Sequence, residues 1–412
     1  MKTFALFLLA ALVLPALALS TAAQDKKTEA DKWPESNPKA TLPDKQPEKG
    51  PGSREYKHEE VAVYEALQAG ERYWLYTPAK PVPKTAPVVV FIHGYNALKP
   101  EGYESWLQHL AKRGNIVIYP QYQAHGLDPS ANWCPNIATS VLDAFEYLEA
   151  DKERVQPDKE KFAIAGHSAG GVTTANLAAD WEDLKLPKPR VAMPIQPGRA
   201  FNHRNSGQKS SQLIPFSDLS KIPEDCLLLC VYGDSDTTVG AWCARHFFTE
   251  ATSVKPENKN LVEFVSCDYS GTPAVAGHYT PAAPLDVGVD HFDWYGYWKL
   301  LDGLTDAAFY GKHREYALGN TPEQTFMGKY SDGRPVAPLK VWTGDQQVDP
   351  DAEKYEPVYD RSGKRIAPAK KPEEKKAEPK KEAPPKNPGR TEEEEEFRAP
   401  AERPGTRGDF AA

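Results

Sequence analysis

A serine flanked by glycines, lying between a predicted strand and a predicted helix, limits the architectures open to this chain more than any other feature. Residues 161–165 are largely apolar, Gly166-His167-Ser168-Ala169-Gly170 follows, and residues 172–179 are compatible with a helix. Glycines two positions either side of the serine let the backbone bend sharply without a Cβ clash. The turn then holds the hydroxyl at the end of a sheet, where the helix N-terminus favours negative charge. The pattern predicts a reactive serine.

Predicted strands and helices alternate through the middle of the chain. The run at residues 88–92 is continuously apolar, which is typical of a strand buried on both faces. The alternation predicts an α/β fold with a mostly parallel central sheet and helices on both faces. Ligand sites in such sheets lie beyond the carboxyl ends of the strands, where Ser168 would fall. Residues 198–225 are short and polar, so we expect no large lid domain.

The two ends of the chain differ in composition from its middle. Residues 1–23 combine Lys2, an apolar run at 4–19 and small residues near the end, which predicts a cleaved signal peptide. The run is short for a membrane span of about 20 residues, so we expect no stable span. Residues 24–56 and 349–412 are rich in Lys, Glu and Pro and predict a disordered linker and tail. One folded α/β domain would occupy residues 57–348, and the protein would be secreted or periplasmic.

Composition excludes several classes of partner and cofactor. The formal net charge is −8 and no basic stripe crosses the middle of the chain, so we expect no nucleic-acid surface. The five cysteines include Cys226 and Cys230, which a strand would hold roughly 13 Å apart, too far to bridge. Both are expected to be small buried hydrophobes. No zinc-binding motif is present, so we expect no metal and no cofactor.

A serine nucleophile needs a base, and the base needs a carboxylate that holds its tautomer. Asp234 and Asp236 follow the predicted strand at residues 227–232. Asp236 is the better placed acid, and Asp234 is expected to shape the turn. Two histidines downstream are candidate bases. We favour His278, in a loop containing glycine and proline, over His291 at the start of the last predicted helix.

The negative oxygen of a tetrahedral intermediate needs hydrogen-bond donors. The backbone N–H of Ala169, directly after the serine, is one candidate. The loop after residues 88–92 contains His93-Gly94-Tyr95-Asn96, and the N–H of Tyr95 is the second candidate. Three aromatic residues are candidates for lining the substrate cleft: Tyr95, Trp133 and Tyr279. For Trp133, simple burial is at least as good an interpretation.

Together these features resemble the α/β-hydrolase superfamily, over roughly residues 61–311. The order of nucleophile, acid and histidine matches that superfamily. His93-Gly94-Tyr95 and Gly277-His278-Tyr279 look closer to its cutinase-like, polyester-hydrolase and dienelactone-hydrolase-like branch than to peptidases. The resemblance implies Ser168 as nucleophile, with the acid, base and oxyanion donors as above. The long loop at residues 268–290, with two competing histidines, departs from the pattern.

The leading hypothesis is a secreted serine hydrolase that cleaves carboxylic esters, small or polymeric, through an acyl-enzyme. One alternative is a catalytically inactive hydrolase fold used for binding or adhesion, with the charged tail as an interaction arm. Another is hydrolysis of amides or peptides on the same fold.

Overall fold

The structure is a computed structural model. It describes residues 36–66, 72–124, 128–199, 213–283, 288–350, 358–359 and 365–366. All of these residues lie within one compact unit, Met1–Ala369. The predicted signal peptide, residues 1–23, lies outside the described residues, and so does most of the predicted tail. Residues 200–212, part of the segment in which no large lid was predicted, also lie outside the described residues.

A nine-stranded sheet forms the centre of the fold, with the strand order β1-β2-β4-β3-β5-β6-β7-β8-β9. The six strands from β4 to β8 in that order run parallel, and β1, β2 and β9 pair antiparallel at the two edges. The strands span Glu60–Ala66 (β1), Arg72–Ala79 (β2), Thr85–Ile92 (β3), Ile116–Gln121 (β4), Gln156–His167 (β5), Val191–Ile195 (β6), Leu227–Gly233 (β7), Lys259–Phe264 (β8) and Lys340–Thr343 (β9). The predicted mostly parallel α/β fold is confirmed.

Helices cover both faces of the sheet. They span Glu104–Lys112 (α1), Trp133–Glu149 (α2), Ala169–Ala179 (α3), Trp242–Glu250 (α4), Trp298–Tyr310 (α5) and Pro322–Thr325 (α6), and a π-helical turn, Asp293–Tyr297, precedes α5. One apolar core contains residues of α2, α3 and α4, and the other contains residues of α1 and α5. Side chains of β3 alternate between them: Val88 and Val90 enter the first, and Val89 and Phe91 the second. This alternation explains why the strand is apolar at every position.

The predicted disordered linker, residues 24–56, is wrong over its described part. Ser53 is fully buried, and Ala40 is 4% exposed. The backbone N–H of Gly52 donates to Oδ2 of buried Asp302 at 2.7 Å. A Cβ on Gly52 would lie 2.0 Å from the Trp294 carbonyl oxygen, so only glycine fits there. The polar composition of this segment predicted disorder. Its buried residues are few and small, and it is held by a polar contact to Asp302, so no run of apolar residues marks it as folded.

The predicted disordered tail also contains some regular structure near its start. Residues 349–412 were predicted to be disordered, yet Val358–Tyr359 pairs antiparallel with Arg365–Ile366 as strands β10 and β11. Cys226 and Cys230 agree with expectation: both are fully buried, and they form no disulfide with each other. In the described part of the chain, no helix has the length and apolar character needed to cross a membrane.

Candidate active site

Ser168 occupies a strained turn between β5 and α3. Its backbone has φ 59° and ψ −119°, in the region that side-chain-bearing residues rarely adopt. The flanking glycines make the turn possible. A Cβ on Gly166 would lie 2.5 Å from the Gly170 carbonyl oxygen, and a Cβ on Gly170 would lie 2.2 Å from that of Ile92. The turn predicted from Gly-x-Ser-x-Gly is therefore present, and its glycines are required by close backbone approach.

Backbone hydrogen bonds hold Ser168 in this conformation. Its N–H donates to the Ile195 carbonyl at 2.9 Å, and its own carbonyl accepts from the Gly198 N–H at 3.1 Å. Ile195 is the last residue of β6, the neighbouring strand, and Gly198 lies in the loop that follows it. Strain of this kind, roughly 1–3 kcal/mol, persists only where surrounding contacts fix the backbone. The residue is 9% exposed, so its hydroxyl lies at the surface of the core rather than in open solvent.

The structure brings Ser168, His278 and Asp236 together. Ser168 Oγ lies 2.9 Å from His278 Nε2, and His278 Nδ1 lies 2.7 Å from Asp236 Oδ2. A carboxylate can only accept, so Nδ1 carries the proton and Nε2 of the neutral ring accepts from the serine hydroxyl. All three side chains are at most 9% exposed. The arrangement can move a proton from the serine oxygen to the imidazole.

Hydrogen bonds to Oδ1 of Asp236 fix the orientation of its carboxylate. Its Oδ1 accepts from the backbone N–H groups of Thr238 and Val239 at 2.9 and 3.0 Å, which leaves Oδ2 directed at His278. Asp234 faces another way and accepts from the Ser266 N–H at 2.8 Å. Burial raises the pKa of Asp234 to about 6. The sequence predicts that Asp234 shapes its own turn, whereas its carboxylate ties the end of β7 to the loop after β8.

The alternative base, His291, lies apart from this group. It is 1% exposed and packs against Phe292, with ring centroids 4.3 Å apart. Neither ring nitrogen has a hydrogen-bond partner in the described part of the chain, and Nδ1 lies 3.8 Å from Oδ1 of Asp290. Burial lowers the pKa of this imidazole. The geometry therefore favours His278 over His291 as the partner of Ser168.

The loop after β3 lies against the serine turn, where the second oxyanion donor was predicted. A Cβ on Gly94 would lie 3.3 Å from Ser168 Cβ. The amides on either side of Tyr95 are engaged: Gly94 N–H donates to Tyr103 Oη at 3.2 Å and Asn96 N–H to Gln123 Oε1 at 2.9 Å. Ala169 is the first residue of α3, so its N–H belongs to the helix-start amides that have no intrahelical acceptor.

The three predicted cleft aromatics differ in exposure. Tyr279 is 64% exposed beside His278, and Tyr95 is 37% exposed. Trp133, in contrast, is 3% exposed and packs between Tyr95 and Tyr122, with ring centroids at 6.2 and 5.3 Å. Trp133 thus packs against Tyr95 from the core side. Its burial favours the alternative of simple burial over a position in the lining of the cleft.

Two buried residues that the sequence did not mark contact this site. Tyr103 Oη lies 2.7 Å from His167 Nδ1, and His167 Nε2 lies 2.8 Å from the His278 carbonyl oxygen. No sequence pattern could pair them, because their contact depends on the parallel arrangement of β3 and β5. Within the described ranges, no cluster of His, Cys, Asp and Glu could hold a metal ion.

Comparison with known proteins points to an enzyme family. A model of the chlorophyllase family matches residues 52–197, which include the loop after β3 and the Ser168 turn but end before Asp236. Chlorophyllase type 0 of Chenopodium album is 34% identical over 113 residues, covering 24% of this chain. The match spans only 30% of that relative's own length. With the nine-stranded sheet, these matches establish that the chain is related to the α/β-hydrolase superfamily.

Proposed function

We propose that this protein is a serine hydrolase that cleaves carboxylic esters through an acyl-enzyme. One observation carries the proposal: Ser168 Oγ is 2.9 Å from His278 Nε2, and the same ring is 2.7 Å from Asp236. A hydroxyl, an imidazole and a carboxylate at these distances have the geometry that nucleophilic catalysis needs. The similarity to chlorophyllases favours an ester as substrate.

In the first half-reaction, His278 Nε2 takes the serine proton while Ser168 Oγ attacks the ester carbonyl carbon. The carbonyl oxygen becomes an oxyanion, which accepts hydrogen bonds from the N–H groups of Ala169 and Tyr95. The intermediate then collapses, the bond from the carbonyl carbon to the alcohol oxygen breaks, and His278 gives its proton to that oxygen. Asp236 stabilises the imidazolium that forms in between. Each oxyanion donor is expected to contribute about 3 kcal/mol.

In the second half-reaction, water replaces the alcohol. His278 takes a proton from the water as its oxygen attacks the acyl carbon of the ester to Ser168. A second oxyanion forms in the same place, and its collapse returns the proton to Ser168 Oγ and releases the carboxylic acid. No metal or cofactor takes part in these steps.

The surroundings of the serine support a substrate with an apolar or planar group. Tyr279 is 64% exposed and Tyr95 37% exposed, and both adjoin residues of the proposed machinery. Exposed aromatic faces can pack against apolar parts of a ligand. We propose that these two side chains bind the acyl or alcohol portion, with Trp133 holding Tyr95 in place from behind. The name of the chlorophyllase relative adds chlorophyll to the substrates worth testing.

The test compares the wild-type protein with Ser168→Ala on p-nitrophenyl esters of increasing chain length, an aryl ester, a polyester, chlorophyll and a peptide. Wild type should hydrolyse at least one ester, and Ser168→Ala should lose turnover with an unchanged circular dichroism spectrum. Cleavage of peptides alone would favour the amide-hydrolase alternative. Absence of any turnover would favour the binding-protein alternative and contradict the proposal.

We propose as well that the protein is exported after removal of residues 1–23. The support is the composition of that segment, with Lys2, the apolar run at residues 4–19 and two small-residue sites near its end. N-terminal sequencing of the protein recovered outside the cytoplasm should begin after one of these sites, near residue 19 or 24. A mature chain that begins at Met1 would contradict export by cleavage.

A further inference from the structure

His167 lies buried between the serine turn and the loop that carries His278. The residue is 2% exposed, and both of its ring nitrogens are engaged. Nδ1 lies 2.7 Å from Tyr103 Oη, and Nε2 lies 2.8 Å from the carbonyl oxygen of His278. Tyr103 Oη in turn accepts from the backbone N–H of Gly94 at 3.2 Å. A continuous chain of hydrogen bonds therefore runs from the loop after β3 to the backbone of the proposed base.

Chemistry fixes the direction of each of these bonds. A backbone carbonyl can only accept, so His167 Nε2 carries a proton and donates to His278. Burial in the protein core lowers the pKa of His167 well below its usual value, and the neighbouring His278 lowers it further. The ring is therefore neutral, and its Nδ1 accepts the phenol proton of Tyr103. The phenol oxygen remains available for the Gly94 N–H.

A neutral ring at this position suits the proposed reaction. The centroids of the His167 and His278 rings are 4.8 Å apart. A cation at that distance would oppose the positive charge that His278 acquires when it takes the serine proton. Tyr103 can donate to Nδ1 only while His167 is neutral, so the hydrogen bond itself favours the uncharged ring.

The loop before His278 is held by other groups as well. The carbonyl of Ala276 accepts from the Ser235 N–H at 3.1 Å, and the carbonyl of Gly277 accepts from Gln196 Nε2 at 2.9 Å. His167 therefore makes the last of three successive attachments, at the residue whose side chain faces Ser168. Loss of the hydrogen bond from His167 alone should change the orientation of the His278 imidazole, whereas the hydrogen bonds at Ala276 and Gly277 should remain.

We propose that Tyr103 and His167 are positioning residues. They hold the backbone of His278 in a fixed position relative to the Ser168 turn and the loop after β3. The inference rests on the proposed function, because it assigns these residues to the same reaction. Neither residue touches the substrate. They act by fixing the distance from His278 Nε2 to Ser168 Oγ while the ester reacts, and displacement of a reacting group by about 1 Å can cost roughly a hundredfold in rate.

The test uses Tyr103→Phe, His167→Leu and His167→Gln, with Tyr76→Phe as the matched control. Tyr76 is also buried, and its hydroxyl donates to Glu104 of α1, so the control removes a buried phenol next to the same helix without touching His167. Tyr103→Phe should lower kcat on a p-nitrophenyl ester about tenfold and His167→Leu about a hundredfold, with KM changed less than about twofold. His167→Gln should recover most of the loss, because its amide can donate to the His278 carbonyl and accept from Tyr103.

A second readout does not depend on the substrate. The Nδ1–H proton of His278 is observed by NMR on protein with labelled histidine, and its signal is assigned by its absence in His278→Gln. In Tyr103→Phe the chemical shift of this proton should move, because a less well aligned ring makes a weaker hydrogen bond to Asp236. Tyr76→Phe should leave that signal, and the kcat, at the wild-type values.

The outcomes separate the two proposals. If wild type cleaves esters but Tyr103→Phe and His167→Leu keep the wild-type kcat and the wild-type His278 Nδ1–H signal, the positioning proposal is wrong and the proposed function stands. If wild type cleaves no ester, the proposed function fails, and the NMR signal decides: a shifted His278 Nδ1–H signal in Tyr103→Phe supports the positioning role, and an unshifted one overturns it. Should His167→Leu fail to fold, Tyr103→Phe, which changes only a hydroxyl, carries the test.

Discussion

Ser168 Oγ and His278 Nε2 lie 2.9 Å apart although 110 positions separate the two residues in the chain. The parallel sheet explains how they meet. Ser168 follows β5, Asp236 follows β7 and His278 follows β8, and β5 to β8 are adjacent and parallel. The carboxyl ends of such strands share one edge of the sheet, so loops that leave them converge there.

Substitution of each candidate histidine should show which of the two is the base. His278→Gln removes the group that accepts the serine proton and should lower kcat on a p-nitrophenyl ester by on the order of 10⁴-fold or more. His291→Gln, the matched control, changes a buried ring that has no hydrogen-bond partner among the described residues, so kcat should stay within about threefold. Steady-state kinetics of the two variants provide the measurement. A large loss in His291→Gln with a small one in His278→Gln would reverse the assignment.

Gly170 should not tolerate even one methyl group. Its added Cβ would lie 2.2 Å from the Ile92 carbonyl oxygen and 2.5 Å from that of His93, and backbone atoms of a buried strand end cannot move aside cheaply. Gly170→Ala should lower the free energy of unfolding by about 3 kcal/mol and reduce activity by displacing the serine turn. Gly102→Ala places its Cβ in open space and should change stability by less than about 0.5 kcal/mol. Equal urea midpoints for the two variants would refute the packing argument.

Asp302 attaches the N-terminal segment to α1 and α5. Its Oδ2 accepts from Gly52 N–H at 2.7 Å and lies 2.9 Å from His109 Nε2 and 3.1 Å from Arg113 Nε. Asp302→Asn removes the charged acceptor of Gly52 N–H and His109 and leaves Arg113 with Asp306 as its remaining carboxylate partner, so the free energy of unfolding should fall by about 1.5–3 kcal/mol.

The control for Asp302→Asn is Glu60→Gln, which breaks an exposed ion pair with Lys80. It should cost less than about 1 kcal/mol. Both variants are measured by urea unfolding, and limited proteolysis reports release of residues 36–56. If Asp302→Asn unfolds at the wild-type urea concentration and resists protease equally, residues 36–56 are not anchored through this carboxylate.

Lys299 should make stability depend on pH in the alkaline range. Its buried Nζ donates to the carbonyl oxygens of Glu323, Gln324 and Phe326 at 3.1, 2.8 and 2.7 Å. Burial lowers its pKa to about 7 in the folded protein, whereas an unfolded lysine keeps its proton to about pH 10.4. Between these values the unfolded state binds more protons, so the free energy of unfolding rises with pH.

Comparison with Lys299→Met isolates this contribution, because other titrating groups are common to both proteins. The unfolding free energy of wild type minus that of Lys299→Met should rise by roughly 4 kcal/mol from about pH 7 to pH 10.4. Urea titrations at several pH values provide the measurement. A difference that stays constant over this range would mean that the lysine keeps its proton in the fold.

The sequence predicted those parts of the molecule whose place in the fold requires a recognisable run of residues. A buried parallel strand is apolar throughout, and a serine turn of this kind requires glycines, so β3 and the Ser168 turn could be recognised from their residues alone. Asp236 and His278 could be proposed because each comes shortly after a predicted strand.

Other features depend on contacts that leave no local pattern. The buried segment around Ser53 has the polar composition of a linker, and its burial depends on Asp302, far along the chain. The short edge strand β9 has only four residues, too few to display a strand period. The bond between Tyr103 and His167 joins a residue before α1 to the end of β5, and only the folded sheet brings them together.

The most direct test of the central claim is to react the protein with a fluorophosphonate and map the adduct by peptide mass spectrometry. The account predicts stoichiometric modification of the peptide containing Ser168, loss of esterase activity in proportion, and no adduct in Ser168→Ala. An unmodified wild-type protein, or an adduct on another residue while Ser168 stays free, would contradict it.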